Sequence, residues 1–289
     1  MVIRKNNDHW LLITQPAHAW ISGQIAENWG GPGFARPAPW KELCFAAARH
    51  DDGWVDRDIQ PEWNPDTGLP HDFKNIPMED HMSIWKQSAA LAEYSSRFAA
   101  LLVSRHIMGL FSMHDFSRET ESVRLKAGHF KSRQHALQQR LIADLEVDSF
   151  YGPFIHDKNL EQHFRLLSTF DYLSLFLILG ESDETELDDI PTLERGHSFE
   201  DDTLLESGPL HEYGSNKVRL SRRGSPTEGH AKEHPEAWHV SPWPFATDIV
   251  MLRCDAILLE EQCAHQKELD RVMEQGRRVP FTAELNPGS

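Results

Sequence analysis

The stretch AAARHDDGW, residues 46–54, decides how the rest of the chain is read. An alanine-rich apolar run ends in a histidine and two acids and then turns at Gly53. Just upstream, Trp40, Leu43, Cys44 and Ala47 share one helical face. Steps of three and four from Ala47 reach His50 and Asp51. Both side chains are therefore expected to point inward. A buried carboxylate is costly unless a cation or hydrogen-bond donors meet it. Taken alone, this dipeptide would be satisfied by a nearby arginine or by capping another element.

The pattern recurs on other expected helices. His18 shares a face with Ile21, Ile25 and Trp29, and Thr14 and Pro16 mark that helix's start. His81 sits with Ile84 and Trp85. His106 follows Leu102 and Val103 and precedes Leu110. Asp171 continues the stripe Leu160, Phe164 and Leu167. Helices are expected over residues 14–29, 40–52, 78–94, 98–113, 127–146 and 157–179. Residues 54–77 read as an ordered loop, and GGPGFARPAP as a helix end and loop. A single histidine on an apolar face is usually a core residue. Several histidines and acids on separate helix faces are how metal centres in helical proteins are built. Imidazole and carboxylate suit Mn, Fe and Zn.

The order His18, His50-Asp51, His81, His106, Asp171 resembles the HD-domain superfamily, helical metal-dependent proteins that are mostly phosphohydrolases with a minority of di-iron oxygenases. The resemblance covers about residues 14–180. It implies a mainly α fold, an HD-like helical bundle. It also implies one or two divalent transition metals (Fe, Mn or Zn). His18, His50, Asp51 and Asp171 would hold the first ion, and His81 and His106, with Asp51, the second. His71, in GLPHDF, competes with His81 for its place; the apolar helix face favours His81. Many HD phosphohydrolases follow the pair with Gly-Lys, whereas here Trp54 stands at the lysine position. Arg105, beside His106, is a candidate anion clamp, with a surface salt bridge as its alternative. Asp52 is a candidate to orient water or to hydrogen-bond a ligand histidine. The segments QPAHAWISGQIAENWG, HDDGW, LLVSRH and FDYLSLF also resemble an uncharacterised bacterial domain-of-unknown-function family.

After residue 180 the composition shifts. ESDETELDD, residues 181–189, reads as a solvated acidic linker. Short apolar pieces such as 249–252 suggest strands, and a last helix is expected over about 258–275. Residues 1–180 are thus expected to form the metal-binding helical body, with a short strand at 10–13. Residues 181–289 would form the linker and a C-terminal, partly β appendage packed on it. His197, His211, His230, His234 and His239 fall in polar stretches and read as surface residues.

The net charge of −16 opposes binding to nucleic acid or to an anionic membrane. The longest apolar run, residues 172–179, is too short to span a bilayer. Three cysteines without a C-x-x-C pair read as free thiols in a reducing cytoplasm. The start of the chain shows no apolar signal-peptide core. H-E-x-x-H, G-x-S-x-G and Walker motifs are absent from the sequence. The expected function is metal-dependent hydrolysis of a phosphoester or nucleotide-like small molecule by a cytoplasmic protein, with a homo-oligomer compatible with the sequence. A di-iron oxygenase on the same ligands is the first alternative. A non-catalytic binding protein with a structural His/Asp network is the second.

Overall fold

Thr14 turns the chain from strand to helix. Its hydroxyl accepts the Ala17 N–H at 3.2 Å, Pro16 occupies the first turn, and Asp58 accepts the Gln15 N–H at 2.5 Å. These contacts satisfy N–H groups that every helix start leaves without partners. The computed structural model describes residues 1–6, 8–192, 214–223 and 235–288. A hairpin of β1 (Val2–Asn6) and β2 (His9–Ile13) leads into α1 (Gln15–Asn28), followed by α2 (Trp40–Arg49) and α3 (Val55–Ile59). A small ribbon pairs β3 (Trp63–Asn64) with β4 (Leu69–Pro70). The long helices are α4 (Met78–Ser95), α5 (Arg97–Met113), α6 (Glu121–Glu146) and α7 (Asp157–Leu179). Then come β5 (Glu184–Thr192), β6 (Gly214–Arg222), β7 (Glu236–Ser241), β8 (Val250–Leu259), α8 (Gln266–Gln275) and β9 (Arg278–Pro287).

The sheet corrects the expected fold class. The chain is not a mainly α, HD-like helical bundle with a C-terminal partly β appendage. It has a large mixed sheet of seven strands in the order β1-β2-β8-β9-β7-β6-β5 beside the helices. Only β7 and β9 run parallel; every other pair in it is antiparallel. Strands from both sides of residue 180 share it, with Trp10 opposite Leu259 and Leu12 opposite Ile257.

The cause lies in the strands' patterns. Along β8, Val250, Leu252, Cys254 and Ala256 are buried while Met251, Arg253 and Asp255 are exposed. Along β9, Phe281, Ala283 and Leu285 alternate in the same way. With apolar residues such as Met251 and Val279 on the other face, the period of two is a weak signal until the partner strand is known. The acidic run is no linker over its second half, because Glu184–Thr192 forms β5. Glu186 faces solvent and pairs across the sheet with Lys217 and Arg219, while Ile190 is buried. Opposite charges on neighbouring strands make such an acidic strand tolerable.

Other boundaries moved for local reasons. The second helix ends at Arg49, and Asp52–Trp54 forms a 3₁₀ turn. Helix α6 starts at Glu121, capped by the Thr120 hydroxyl, which accepts the Val123 N–H at 3.3 Å. The last helix starts only at Gln266, because β8 takes residues up to Leu259. His239 stands in β7; His197, His211, His230 and His234 lie outside the described residues.

The inner face of the sheet packs on two helices, α1 against β8 and α7 against β1 and β5. Trp29 at the end of α1 stands edge-on to Phe170 of α7 at 5.2 Å and to Phe245 at 5.7 Å. This aromatic joint fixes α1 against α7, the two helices that carry His18 and Asp171. No described helix is long and apolar enough to cross a membrane. The cysteines are free, and burial pushes the Cys44 and Cys254 thiols up to about 12, so neither is a ready nucleophile.

His163, fully buried in α7, hydrogen-bonds through Nδ1 to the Asn159 carbonyl at 2.8 Å and packs edge-on to Phe98. Burial lowers its pKa to about 4. The unfolded chain, with an ordinary histidine, takes up the proton first as pH falls. Stability from this residue is therefore complete above about pH 6.5 and lost progressively towards pH 4, on the order of 3 kcal/mol in all. Urea unfolding of the parent and of His163→Gln at pH 7 and pH 4.5 should show a smaller pH-dependent loss in the variant. Equal losses in both proteins would contradict a neutral buried imidazole.

Candidate metal centre

Four helices and one turn deliver the polar groups. His18 comes from the first turn of α1, His106 from α5 and Asp171 from α7. His50 is the C-terminal cap of α2, still in helical conformation, and Asp51 follows as the chain bends into the 3₁₀ turn. Gly53 makes that bend possible. Its N–H donates to Ser88 Oγ of α4 at 3.0 Å, and a Cβ there would lie 2.2 Å from the Ile84 carbonyl oxygen. Only glycine lets the turn press this closely onto α4.

The side chains meet at Asp171. One of its carboxylate oxygens, Oδ1, lies 2.9 Å from His18 Nε2 and 3.5 Å from His50 Nε2; the other, Oδ2, lies 3.2 Å from His106 Nε2. Asp51 Oδ2 stands 3.6 Å from both His18 Nε2 and His50 Nε2. The rings of His18 and His106 each pack edge-on to His50, at centroid distances of 5.3 Å. All five residues are buried.

The outer nitrogens of the imidazoles are already engaged. His50 Nδ1 is 2.9 Å from the Ala47 carbonyl, which can only accept, so Nδ1 carries the proton and Nε2 the lone pair when the ring is neutral. His18 Nδ1 is 2.6 Å from Ser174 Oγ, whose own proton is directed to the Asp171 carbonyl at 2.8 Å. His106 Nδ1 is 3.3 Å from Ser168 Oγ. Outer partners of this kind set the tautomer and aim of metal-binding histidines.

The buried acids and imidazoles shift one another's titration. Burial works against the Asp171 charge, yet the three imidazoles around it hold its carboxyl well below the usual carboxylate range. Burial likewise opposes a charged His50, but Asp51 and Asp171 pull its pKa up to about 9. Burial raises Asp51, against the pull of His50 and His18. His50 Nε2 and His106 Nε2 are buried and make no aligned hydrogen bond. Two trios, His18–His50–Asp51 and His50–His106–Asp171, have ligand atoms within 4.8 Å of one another and could hold a metal ion. Donors each about 2.1 Å from one ion stand roughly 3–4 Å apart, as these do.

His18, His50, Asp51 and Asp171 form the floor of a cavity of ≈ 320 Å³ whose wall also includes Trp54, Phe73, Lys74, Trp85, Leu110 and His114; His106 does not line it. His81 belongs to this wall but not to the converging donors. Its ring packs against Trp54 at 5.5 Å and Trp85 at 5.1 Å, and burial lowers its pKa to about 4. His71 is in neither group and follows the ribbon, its N–H donating to the Glu62 carbonyl. Asp52 pairs with Arg49 at 2.5 Å, and Arg105 stands 3.6 Å from Glu161; neither lines the cavity. No local pattern singles out Lys74 or His114, which lie in or beside irregular segments without helical periodicity.

Fold and site together define an α+β protein with a buried three-histidine, two-carboxylate cluster at the base of a cavity. The chain belongs to the family described as "Protein of unknown function (DUF3891)", whose model matches residues 1–261. The comparisons found no matching curated protein and no matching solved structure.

Replacing Gly53 tests how the turn places Asp51. Gly53→Ala should destabilise the chain by about 2–3 kcal/mol in urea unfolding, because a methyl group would collide with the α4 backbone. Unchanged stability would mean that the turn does not depend on its close approach to α4.

Proposed function

We propose that the protein is a metal-dependent hydrolase acting on a phosphoester, with one divalent transition ion held by His18, His50, Asp51, His106 and Asp171. The observation that carries this reading is the pair of buried, unpartnered Nε2 atoms of His50 and His106: His50 Nε2 stands beside both Asp51 and Asp171, as His18 Nε2 does, and His106 Nε2 beside Asp171. A divalent ion would take all three lone pairs and balance both carboxylates. The two trios overlap at His50, and His81 stands apart with Trp54 and Trp85, which favours one ion over a second built on His81. The order of these residues along the chain, resembling the HD-domain superfamily, supports the same reading.

A bound divalent ion supplies Lewis-acid polarisation and an acidified water. The chain's own part is to fix the ligands and shape the approach. The Ala47 carbonyl and Ser174 hydroxyl orient two imidazoles. The Asp51 and Asp171 side chains keep 12% and 11% of their surface exposed against 1–3% for the three histidines, so the carboxylate edge of the cluster opens towards the cavity. A small-molecule substrate would enter there. The mostly apolar wall also suits an oxygenase that holds iron on the same ligands, and dependence of turnover on O₂ separates the two.

Metal analysis and melting test the ligand set. The purified chain should carry about one equivalent of Mn, Fe or Zn. Chelation should lower its melting temperature, since an ion that binds only the folded form at a hundred times its Kd adds about 2.7 kcal/mol. Asp51→Asn and His106→Leu should lose metal, and His81→Leu should keep it. Asp51→Asn should melt below the loaded parent but no lower than the stripped one, because the change also removes an uncompensated buried acid. Chelator-sensitive release of phosphate from 4-nitrophenyl phosphate is the expected activity. A parent chain that holds no metal and melts alike with and without added Mn²⁺, Fe²⁺ or Zn²⁺ makes the cluster a structural polar network.

A further inference from the structure

The cavity above the cluster does not end at its own rim. A second cavity, of ≈ 450 Å³, shares Phe73, Lys74 and Leu175 with the first. Its apolar side is Tyr172, Phe176 and Leu179, one flank of α7 continuing away from Asp171. Each volume lies in the range of small-molecule sites. Together they make a trough that starts at the His/Asp cluster and follows the exposed edge of α7.

Its charges are unevenly placed. Among the described residues Lys74 is the one lysine or arginine on either wall, and it stands where the two cavities meet. Its ammonium lies over the Phe73 ring at 5.7 Å and 3.5 Å from Glu181, a pair in which both side chains are largely exposed. So exposed a pair holds Lys74 only weakly and leaves it able to turn to a ligand. At the far cavity the charged groups beyond Lys74 are acids, Glu181 and Glu184. A polyphosphate would find one cation and then two carboxylates. A ligand with a single anionic head and an uncharged, apolar body meets complementary surface along the whole trough.

We propose that the substrate is a phosphomonoester of an elongated apolar alcohol. Its phosphate lies between the His/Asp cluster and Lys74, and its apolar body passes Phe73 and Leu175 into the cavity along α7. This rests on the hydrolase reading for the reaction, in which water adds to phosphorus, the P–O bond to the alcohol breaks, and the alcohol leaves with a proton. The fit of the apolar body to the trough does not depend on that reading.

Calorimetric titration of the full chain, Mn²⁺-loaded and chelator-treated, tests it with inorganic phosphate, with butyl, hexyl and octyl phosphate, with the matching neutral alcohols, and with adenosine triphosphate. In the loaded chain, affinity should rise by up to about fourfold per buried methylene along the phosphate series, and octyl phosphate should bind more tightly than adenosine triphosphate. Lys74→Met should weaken octyl phosphate about tenfold and leave octanol unchanged, which a merely structural role for Lys74 would not do. Ser182→Trp, at an exposed position on the second cavity, should cancel the gain from hexyl to octyl and spare butyl phosphate. Affinity independent of chain length, tighter binding of adenosine triphosphate, or equal loss of octanol and octyl phosphate in Lys74→Met would each overturn the proposal. The alcohols in the chelator-treated chain keep the two readings apart. If the chain holds no metal, their gain with length should persist; if the metal reading is right and this one wrong, metal binds and the gain is missing.

Discussion

Asp171 sets the terms for the helical half of the molecule. It lies in α7 within FDYLSLFLIL, one of the most apolar stretches of the chain, with its carboxylate carried into the interior. An ionised group there is prohibitively costly unless it is paired and hydrogen-bonded. Three imidazoles from α1, the end of α2, and α5 gather around it, with Asp51 as a second carboxylate beside His18 and His50. Each of these helices must therefore hold one depth and one rotation relative to α7. Packing that would otherwise tolerate a small slip becomes fixed to within a hydrogen-bond length.

The sheet holds α1 and α7 in those positions. β2 leads directly into α1 through the Thr14 cap, and β5 follows α7 after Gly180, which takes the left-handed conformation at φ 61°. Arg4 on β1 closes the corner between them. Its guanidinium donates to the Leu177 and Ile178 carbonyls at the end of α7, which lack helical partners, and pairs with Glu236 of β7. Both helices that frame the cluster thus start or end at a strand of the same sheet. Chain on both sides of the helical region is needed to build that support, whatever it contributes to binding.

The site is arranged so that the acidic character of the chain is suspended locally. Outside, carboxylates outnumber cations, for a net charge of −16. The first cavity is lined by the carboxylates of Asp51 and Asp171 and the imidazoles of His18, His50, His81 and His114, with Trp54, Phe73 and Trp85 around them and Lys74 at the exit. Aromatic walls exclude water and raise the strength of every charge interaction at the floor. The neutral state to which burial drives His81, between Trp54 and Trp85, suits a wall residue rather than another cation.

Much of the helical scaffold is legible in the sequence, because each helix buries one face and its period of 3.6 is written over four or more turns. The helix over 157–179 matches α7 end to end, and the inward aim of His18, His50, Asp51, His106 and Asp171 follows from their spacing to Ile21, Ala47, Leu102 and Leu167. The sheet is not legible in the same way. The alternation of its strands is weak taken singly, and β2 and β8 become neighbours only when the two ends of the chain come together. The acidic run shows the limit most clearly, since Glu186 belongs in a strand only because Lys217 and Arg219 lie across from it. His81 carries the same helical signal as His106 but faces Trp54 and Trp85 instead of Asp171. The sequence by itself determined which side chains turn inward, because that depends on local periodicity. Which of them meet, and that Lys74 stands at the mouth of their cavity, was decided by tertiary packing, because helix rotation and loop placement depend on partners distant in the chain.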